Sequence, residues 1–216
     1  GRLGRRHVIH HASVIHPDDM PRFKALGVIV NTTPIYYTNW KNPKYEKEVL
    51  NPVLGEQRAR ERFFAHKRVL DNGGLITFGA DVPGTNLYEQ SPLYMIQAAV
   101  TLKAPLLPND PGIAPLDRVF TLEQALRAYT INGAYQMGME NDIGSLEVGK
   151  LADLIVIEKN LFEITPKNLH QTRVLLTMSN GQVVHDAEFG IGDVEKSRAA
   201  LKADFDSIKP VQSWLQ

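Results

Sequence analysis

Short apolar runs alternating with amphipathic stretches organise the first half of the chain. His7 to Ala12 is a β-type run, and Pro17 to Leu26 predicts a helix with Met20, Phe23 and Leu26 on one side and Gly27 just past its end. Val28-Ile29-Val30 is a continuous β-branched run, as expected of a strand buried on both faces, and Pro34 ends it. From Ile35 to about Leu54 no period is visible, and the stretch is too long for a plain connector, so it reads as a functional loop or lid. Gln57 to Leu70 predicts one helix closed by Asn72-Gly73-Gly74, Leu75 to Asp81 a third strand, and Ser91-Pro92 the start of a helix carrying Leu93, Ile96 and Val100. This β-α-β-α-β-α order implies three parallel strands with right-handed crossovers. Three strands are an incomplete sheet. In a barrel, the His7 and Leu75 strands would each present an open edge for something outside this sequence to cover.

The second half changes character. Thr121-Leu-Glu-Gln124 is a capping box for a helix carrying Ala125, Leu126, Ala128 and Tyr129 in the region up to Ala134. After Gly144 the pattern turns to strands: Leu151 to Ile157, then Val174 to Ser179 paired with Gln182 to His185 across Asn180-Gly181, a strong hairpin signal. A small accessory β-sheet is expected there. The tail to Gln216 reads as a polar helix with an aromatic tether at Trp214. The expected organisation is an α/β portion over 1–142, a β-rich portion over 143–190 and a helical tail over 191–216.

Composition narrows the chemistry. Lys+Arg and Asp+Glu are both 24 in 216 residues, with no block of like charge, so a nucleic-acid groove or membrane-binding face is not expected. Without cysteine there is no disulfide, thiolate ligand or cysteine nucleophile; any metal must be held by His, Asp, Glu or a modified Lys. No apolar run approaches the roughly 18–20 residues of a membrane span, and a cytoplasmic location fits these features.

The candidate chemistry sits at strand ends. Asp81 closes the Leu75 strand just before a Pro/Gly loop, and His11 closes the first strand 70 residues earlier. Strand C-terminal tips are where βα loops open and catalytic groups collect, and an imidazole with a carboxylate suits a shared divalent cation. The bland alternatives are a turn or capping Asp and a hydrogen-bonded core or surface His. Strand alternation places His7, Ile9 and His11 on one face and Val8, His10 and Ala12 on the other, so one of the adjacent imidazoles is expected inward, with His11 preferred and His10 outward. Tyr36, Tyr37 and Trp40 are candidates for a substrate pocket or, equally, for a loop-anchoring aromatic minicore. His16 suits a helix cap, solvated surface is the default for His66, His170 and His185, and Lys150 and Asp153 read as structural.

Together, His7-Val-Ile-His-His-Ala12, Pro17-Asp-Asp, Arg22-Phe-Lys-Ala-Leu-Gly-Val28, Gly79-Ala-Asp81, Thr121-Leu-Glu-Gln-Ala-Leu126, Tyr129-Thr-Ile-Asn-Gly-Ala134 and Ile143 to Leu154 resemble the amidohydrolase superfamily, in its amidohydrolase 3 branch with the N-substituted formamide deformylases. The likeness runs over about residues 7–187, and Gly144 to Leu154 is its most specific stretch. It implies the C-terminal part of a (β/α)8 TIM-type barrel, strands six to eight, plus part of a small composite β-sandwich. On that resemblance His11 is the strand-six metal ligand, and Asp81 is the strand-eight aspartate that binds metal and accepts the proton of the attacking water. The implied cofactor is a divalent metal, zinc first. The implied partners are a small-molecule substrate, an absent N-terminal part of the barrel and a second copy in a homodimer.

Two departures stand out. His10 occupies a place where the family usually has Glu, and the family's first five strands, with their metal ligands, have no counterpart here. The chain therefore reads as the C-terminal portion of a longer enzyme that cleaves a C–N bond of the amide or formamide type with metal-activated water, inactive by itself because two protein ligands are too few. The rival reading is a catalytically silent barrel that binds a small molecule or partner.

Overall fold

The β-branched runs form a parallel three-stranded sheet in the order β1 (Val8–His10), β2 (Ile29–Thr32) and β3 (Leu75–Phe78) in the computed structural model, which describes residues 5–38, 44, 46–85, 89–107, 109–110 and 118–188. Trp40 and the tail over 191–216 lie outside the described residues. Parallel register aligns His10 with Asn31 and Asn31 with Thr77, and Asn31 Nδ2 donates to Thr77 Oγ1 at 2.9 Å. All four residues of β2 are buried, as its unbroken apolar start predicts. β1 is a sheet edge, and its Val8 and Ile9 remain 40% and 46% exposed.

Helix α1 (Met20–Leu26) joins β1 to β2, entered through a 3-10 turn at Pro17–Asp19. His16 caps that turn as expected, its Nδ1 accepting from the Asp18 amide at 3.2 Å. Beyond β2 the aperiodic stretch is less irregular than its sequence suggests: Pro34–Tyr37 is a 3-10 turn, Glu46–Leu50 a π-helical turn, and Asn51–Leu54 a short helix, α2. Proline in the first turn of two of these segments supplies a preset φ that periodicity does not reveal.

The single helix expected over 57–70 is broken into α3 (Glu56–Arg62) and α4 (His66–Asp71). The break has a definite cause. Buried Arg118 donates to the carbonyls of Arg60 and Phe63, groups that an unbroken helix would use itself. Phe63 is extended, Phe64 takes φ +44°, and both rings are buried. The released backbone reaches back to the segment after β1: Phe64 N donates to Ser13 O at 2.7 Å, Ile15 N donates to Arg62 O at 3.1 Å, and Val14 bridges Phe63.

His66 also departs from expectation. It is fully buried, not solvated, because it opens α4 facing this clamp: Nε2 lies 2.9 Å from Ala12 O and Nδ1 2.9 Å from the Tyr37 hydroxyl. Burial drives its pKa down to about 4, against the weaker opposing effect of the carbonyls it bonds.

Helix α5 (Pro92–Thr101), after Ser91, is buried nearly all round. Its Tyr94, Met95 and Ala98 pack with Ile35 and Ala104. It also packs on the 3-10 segment Pro166–Gln171, where the His170 amide donates to Gln97 Oε1 at 3.0 Å, so His170 is half-buried and not a solvated side chain. The Thr121–Gln124 capping box is present and starts α6 (Leu122–Tyr129), and a sharp change at Thr130 separates it from α7 (Ile131–Met137).

The chain divides into two compact units, Gly1–Ser145 with Lys159–Thr172, and Leu146–Glu158 with Arg173–Gln216. The expected uninterrupted β-rich portion is thus broken by residues 159–172, which supply the partner surface of α5. In the second unit β4 (Leu154–Ile157), β5 (Val174–Ser179) and β6 (Gln182–Asp186) form an antiparallel sheet in that order. Asn180 and Gly181 make the hairpin with φ +48° and +77°, and Asp153 Oδ1 accepts the Asn180 amide at 2.6 Å. No helix among the described residues is long and apolar enough to cross a membrane.

Two outcomes are expected. Arg118→Met leaves the Arg60 and Phe63 carbonyls without their donor and should cost about 2–4 kcal/mol in urea unfolding; a loss below about 0.5 kcal/mol would contradict the clamp. His66 in the native state stays neutral down to pH about 4, whereas the unfolded chain protonates it near pH 6.5. The unfolded state therefore binds more protons between these values, and this residue's stabilisation is complete above about pH 6.5 and lost as pH falls toward 4. Lowering pH from 7 to 5 should cost the wild type on the order of 1–2 kcal/mol more than His66→Gln, and equal slopes would contradict it.

Candidate metal centre

β1 and β3 finish at the same, C-terminal end of the parallel sheet, and the chain leaves both through left-handed backbone. His11 and Ala12 have φ of +62° and +44°, and Asp81 has φ +52°. For residues with a Cβ this conformation costs roughly 1–3 kcal/mol each, so the surroundings must impose it. At β1 they do: His11 N donates to Asn31 O at 2.8 Å, Ala12 N donates to His10 O at 2.8 Å, and His66 holds the Ala12 carbonyl.

This turn changes the geometry that strand alternation predicts. β1 stops at His10, so His11 does not continue its pleat, and the two imidazoles converge with ring centroids 4.1 Å apart. One ligand atom each from His10, His11 and Asp81 lie within 4.8 Å of one another. The expectation that His10 faces away is corrected on this point. His11 Nε2 is 3.8 Å from Asp81 Oδ2. Two ligand atoms about 2.1 Å from one ion at a tetrahedral angle lie about 3.4 Å apart, so a small rotation of either side chain would let both reach one cation.

Tyr36, at the end of the 3-10 turn after β2, donates to Asp81 Oδ2 at 2.6 Å, and its ring centroid is 5.8 Å from that of His11. Burial first, and then this bond to a carboxylate, hold the phenol above its usual pKa, so it remains a donor at neutral pH. Gly84 makes room for the pair: a Cβ there would stand 2.8 Å from Asp81 Oδ2 and 3.0 Å from the Tyr36 hydroxyl. His10 is biased toward the neutral, ligating form by burial and then by His11, with Asp81 opposing.

Tyr37 does not accompany Tyr36. Its ring is buried against Phe64, His66 and Phe120, and its hydroxyl lies 3.0 Å from Thr32 Oγ1 and 2.9 Å from His66 Nδ1. The reason is local: in the 3-10 turn adjacent side chains diverge, sending Tyr36 to the strand ends and Tyr37 into the core. The expected pocket role for Tyr37 is therefore replaced by the minicore alternative. His66 was not legible as part of this neighbourhood, since nothing in its helical context marks it as buried.

The family model described as the amidohydrolase family matches residues 1–185. The N-substituted formamide deformylase of Arthrobacter pascens is 29% identical over 178 residues, 80% of this chain and 30% of that protein. Among solved structures, an adenosine deaminase from Xanthomonas campestris with bound zinc superposes with TM-score 0.57 at 21% identity, over 93% of this chain and 42% of that one. An E241Q mutant of the atrazine chlorohydrolase TrzN from Arthrobacter aurescens TC1, complexed with zinc and atraton, gives 0.53 at 22% identity over 91% and 40%. The chain thus spans about three-tenths of the length of the curated deformylase it matches, and the structural likeness shows a shared α/β fold. By the extent of the family match, the chain belongs to the amidohydrolase family.

Proposed function

We propose that this chain supplies part of the active site of a metal-dependent hydrolase that cleaves an amide-like C–N bond in a small molecule. The convergence of His10, His11 and Asp81 at the C-terminal end of a parallel sheet carries this reading. His11 and Asp81 are the primary ligands and His10 a third donor within reach, and zinc suits this nitrogen and oxygen set. With His10 added, three protein donors would hold the cation on this chain and leave a coordination position for water.

When bound, a divalent cation supplies Lewis acidity and brings the pKa of a coordinated water from 15.7 to about 7. The chain's own residues do the rest. Asp81 accepts the proton lost as water adds to the carbonyl carbon, then delivers it to the departing nitrogen. Tyr36 fixes the carboxylate by occupying Oδ2 as a donor, which holds its plane during both transfers. Tyr36 lines the substrate side, and the similar deformylase makes an uncharged N-substituted amide the first substrate class to examine.

The sheet supports a larger assembly. Parallel sheets are covered on both faces, yet β1 leaves Val8 and Ile9 exposed, and no strand among the described residues pairs with its outer edge or with that of β3. We assign β1, β2 and β3 to strands six, seven and eight of a (β/α)8 barrel completed by further polypeptide, and the antiparallel unit to a composite β-sandwich.

In the complete natural polypeptide that contains these residues, metal analysis should find about one equivalent or more, falling below half in His11→Ala, while Asp81→Asn should lower kcat on N-substituted amides by about 100-fold to 10,000-fold. Full metal content in His11→Ala, or unchanged turnover in Asp81→Asn, would overturn the assignment.

A further inference from the structure

The ligand-bearing turn after β1 is not held by sequence-local forces alone. His11 and Ala12 are consecutive non-glycine residues in the left-handed region, and their only neighbours in sequence are His10 and Ser13. The Ala12 carbonyl, one peptide beyond His11, meets an imidazole contributed from 54 residues later in the chain, at 2.9 Å. A carbonyl can only accept, so the ring must carry its proton on Nε2. Nδ1 is then the acceptor, and the Tyr37 hydroxyl, 2.9 Å from it and 3.0 Å from Thr32 Oγ1, donates its one proton to the ring instead of to Thr32, which leaves the Thr32 hydroxyl to donate to the phenol oxygen. Thr32 belongs to β2 and is fully buried, so the relay from β2 through Tyr37 and His66 to Ala12 is anchored at its far end by the sheet. Among the described residues, the atoms of this relay do not coincide with the His10, His11 and Asp81 ligand atoms.

We propose that His66 is a positioning residue of the metal centre: by donating to the Ala12 carbonyl in a tautomer set by Tyr37, it fixes the turn that brings the His10 and His11 imidazoles together at Asp81. This rests on the assignment of those three residues as the cation site. A side chain that orients ligands from behind typically changes metal affinity 10-fold to 100-fold when removed.

The test uses Zn2+ alone, titrated against a competing chelator in the complete natural polypeptide, well below each variant's melting temperature. His66→Leu keeps an apolar side chain but removes the donor, and should weaken Zn2+ binding about 10-fold to 100-fold. His66→Gln can place an amide N–H near the former Nε2 and should stay within about threefold of wild type. A His66→Leu protein that melts lower but binds Zn2+ as tightly as wild type overturns the proposal, because a purely structural role moves only the melt. Gln and Leu variants that weaken equally overturn it too. If His66→Leu does not fold, Tyr37→Phe carries the test: loss of the hydroxyl that sets the tautomer should weaken Zn2+ about threefold to tenfold, and unchanged affinity contradicts the relay. A wild type that binds no Zn2+, or an Asp81→Ala variant that binds it fully, instead defeats the underlying assignment of the site.

Discussion

The clamp between residues 12–15 and 62–66 is the constraint on which the candidate site depends. Three contacts tie the segment after β1 to the break between α3 and α4: Ala12 O to His66, Ser13 O to Phe64 N, and Ile15 N to Arg62 O. Each is worth about 1 kcal/mol net, which is the scale needed to offset left-handed backbone at His11 and Ala12. The clamp exists because α3 stops, and α3 stops where buried Arg118 takes its last carbonyls. A helix break far from His10 and His11 in sequence thereby holds the turn on which they lie. On the opposite strand, Tyr36 and the bare Cα of Gly84 do the corresponding work for Asp81.

Much of the scaffold is legible in the sequence because its signals are local. The β-branched run at Val28 to Val30, the Asn180-Gly181 turn and the Thr121–Gln124 capping box each encode their structure within a few residues, and each appears as read. The apolar strand before Asp81 was legible for the same reason, although it ends at Phe78 and not at Asp81 itself. The turn at His11 was not. Alternation assumes the strand continues, and whether it continues through His11 is decided by Asn31, His66 and Phe64, none of them close in sequence. His66 fails similarly: a histidine on a short polar helix defaults to solvent unless a distant carbonyl and hydroxyl are known to meet it. The break at Phe63 and Phe64 hides behind a helical pattern because Arg118 lies outside any window that would reveal it.

The two units differ in how their strands pair among the described residues. In the second, antiparallel hairpin pairing satisfies β5 on both sides, and a tight turn fixes register locally. In the first, a parallel sheet of three strands has one fully buried member, β2, and an edge strand, β1, whose Val8 and Ile9 are exposed.

X-ray absorption at the zinc edge of the zinc-loaded polypeptide tests the central claim most directly. Convergence of His10, His11 and Asp81 on one ion predicts a nitrogen and oxygen shell at about 2.0–2.2 Å with outer-shell scattering from imidazole carbons, reduced in amplitude when His11 is replaced. A shell without imidazole scattering, or one that is unchanged by replacing His11, would contradict it.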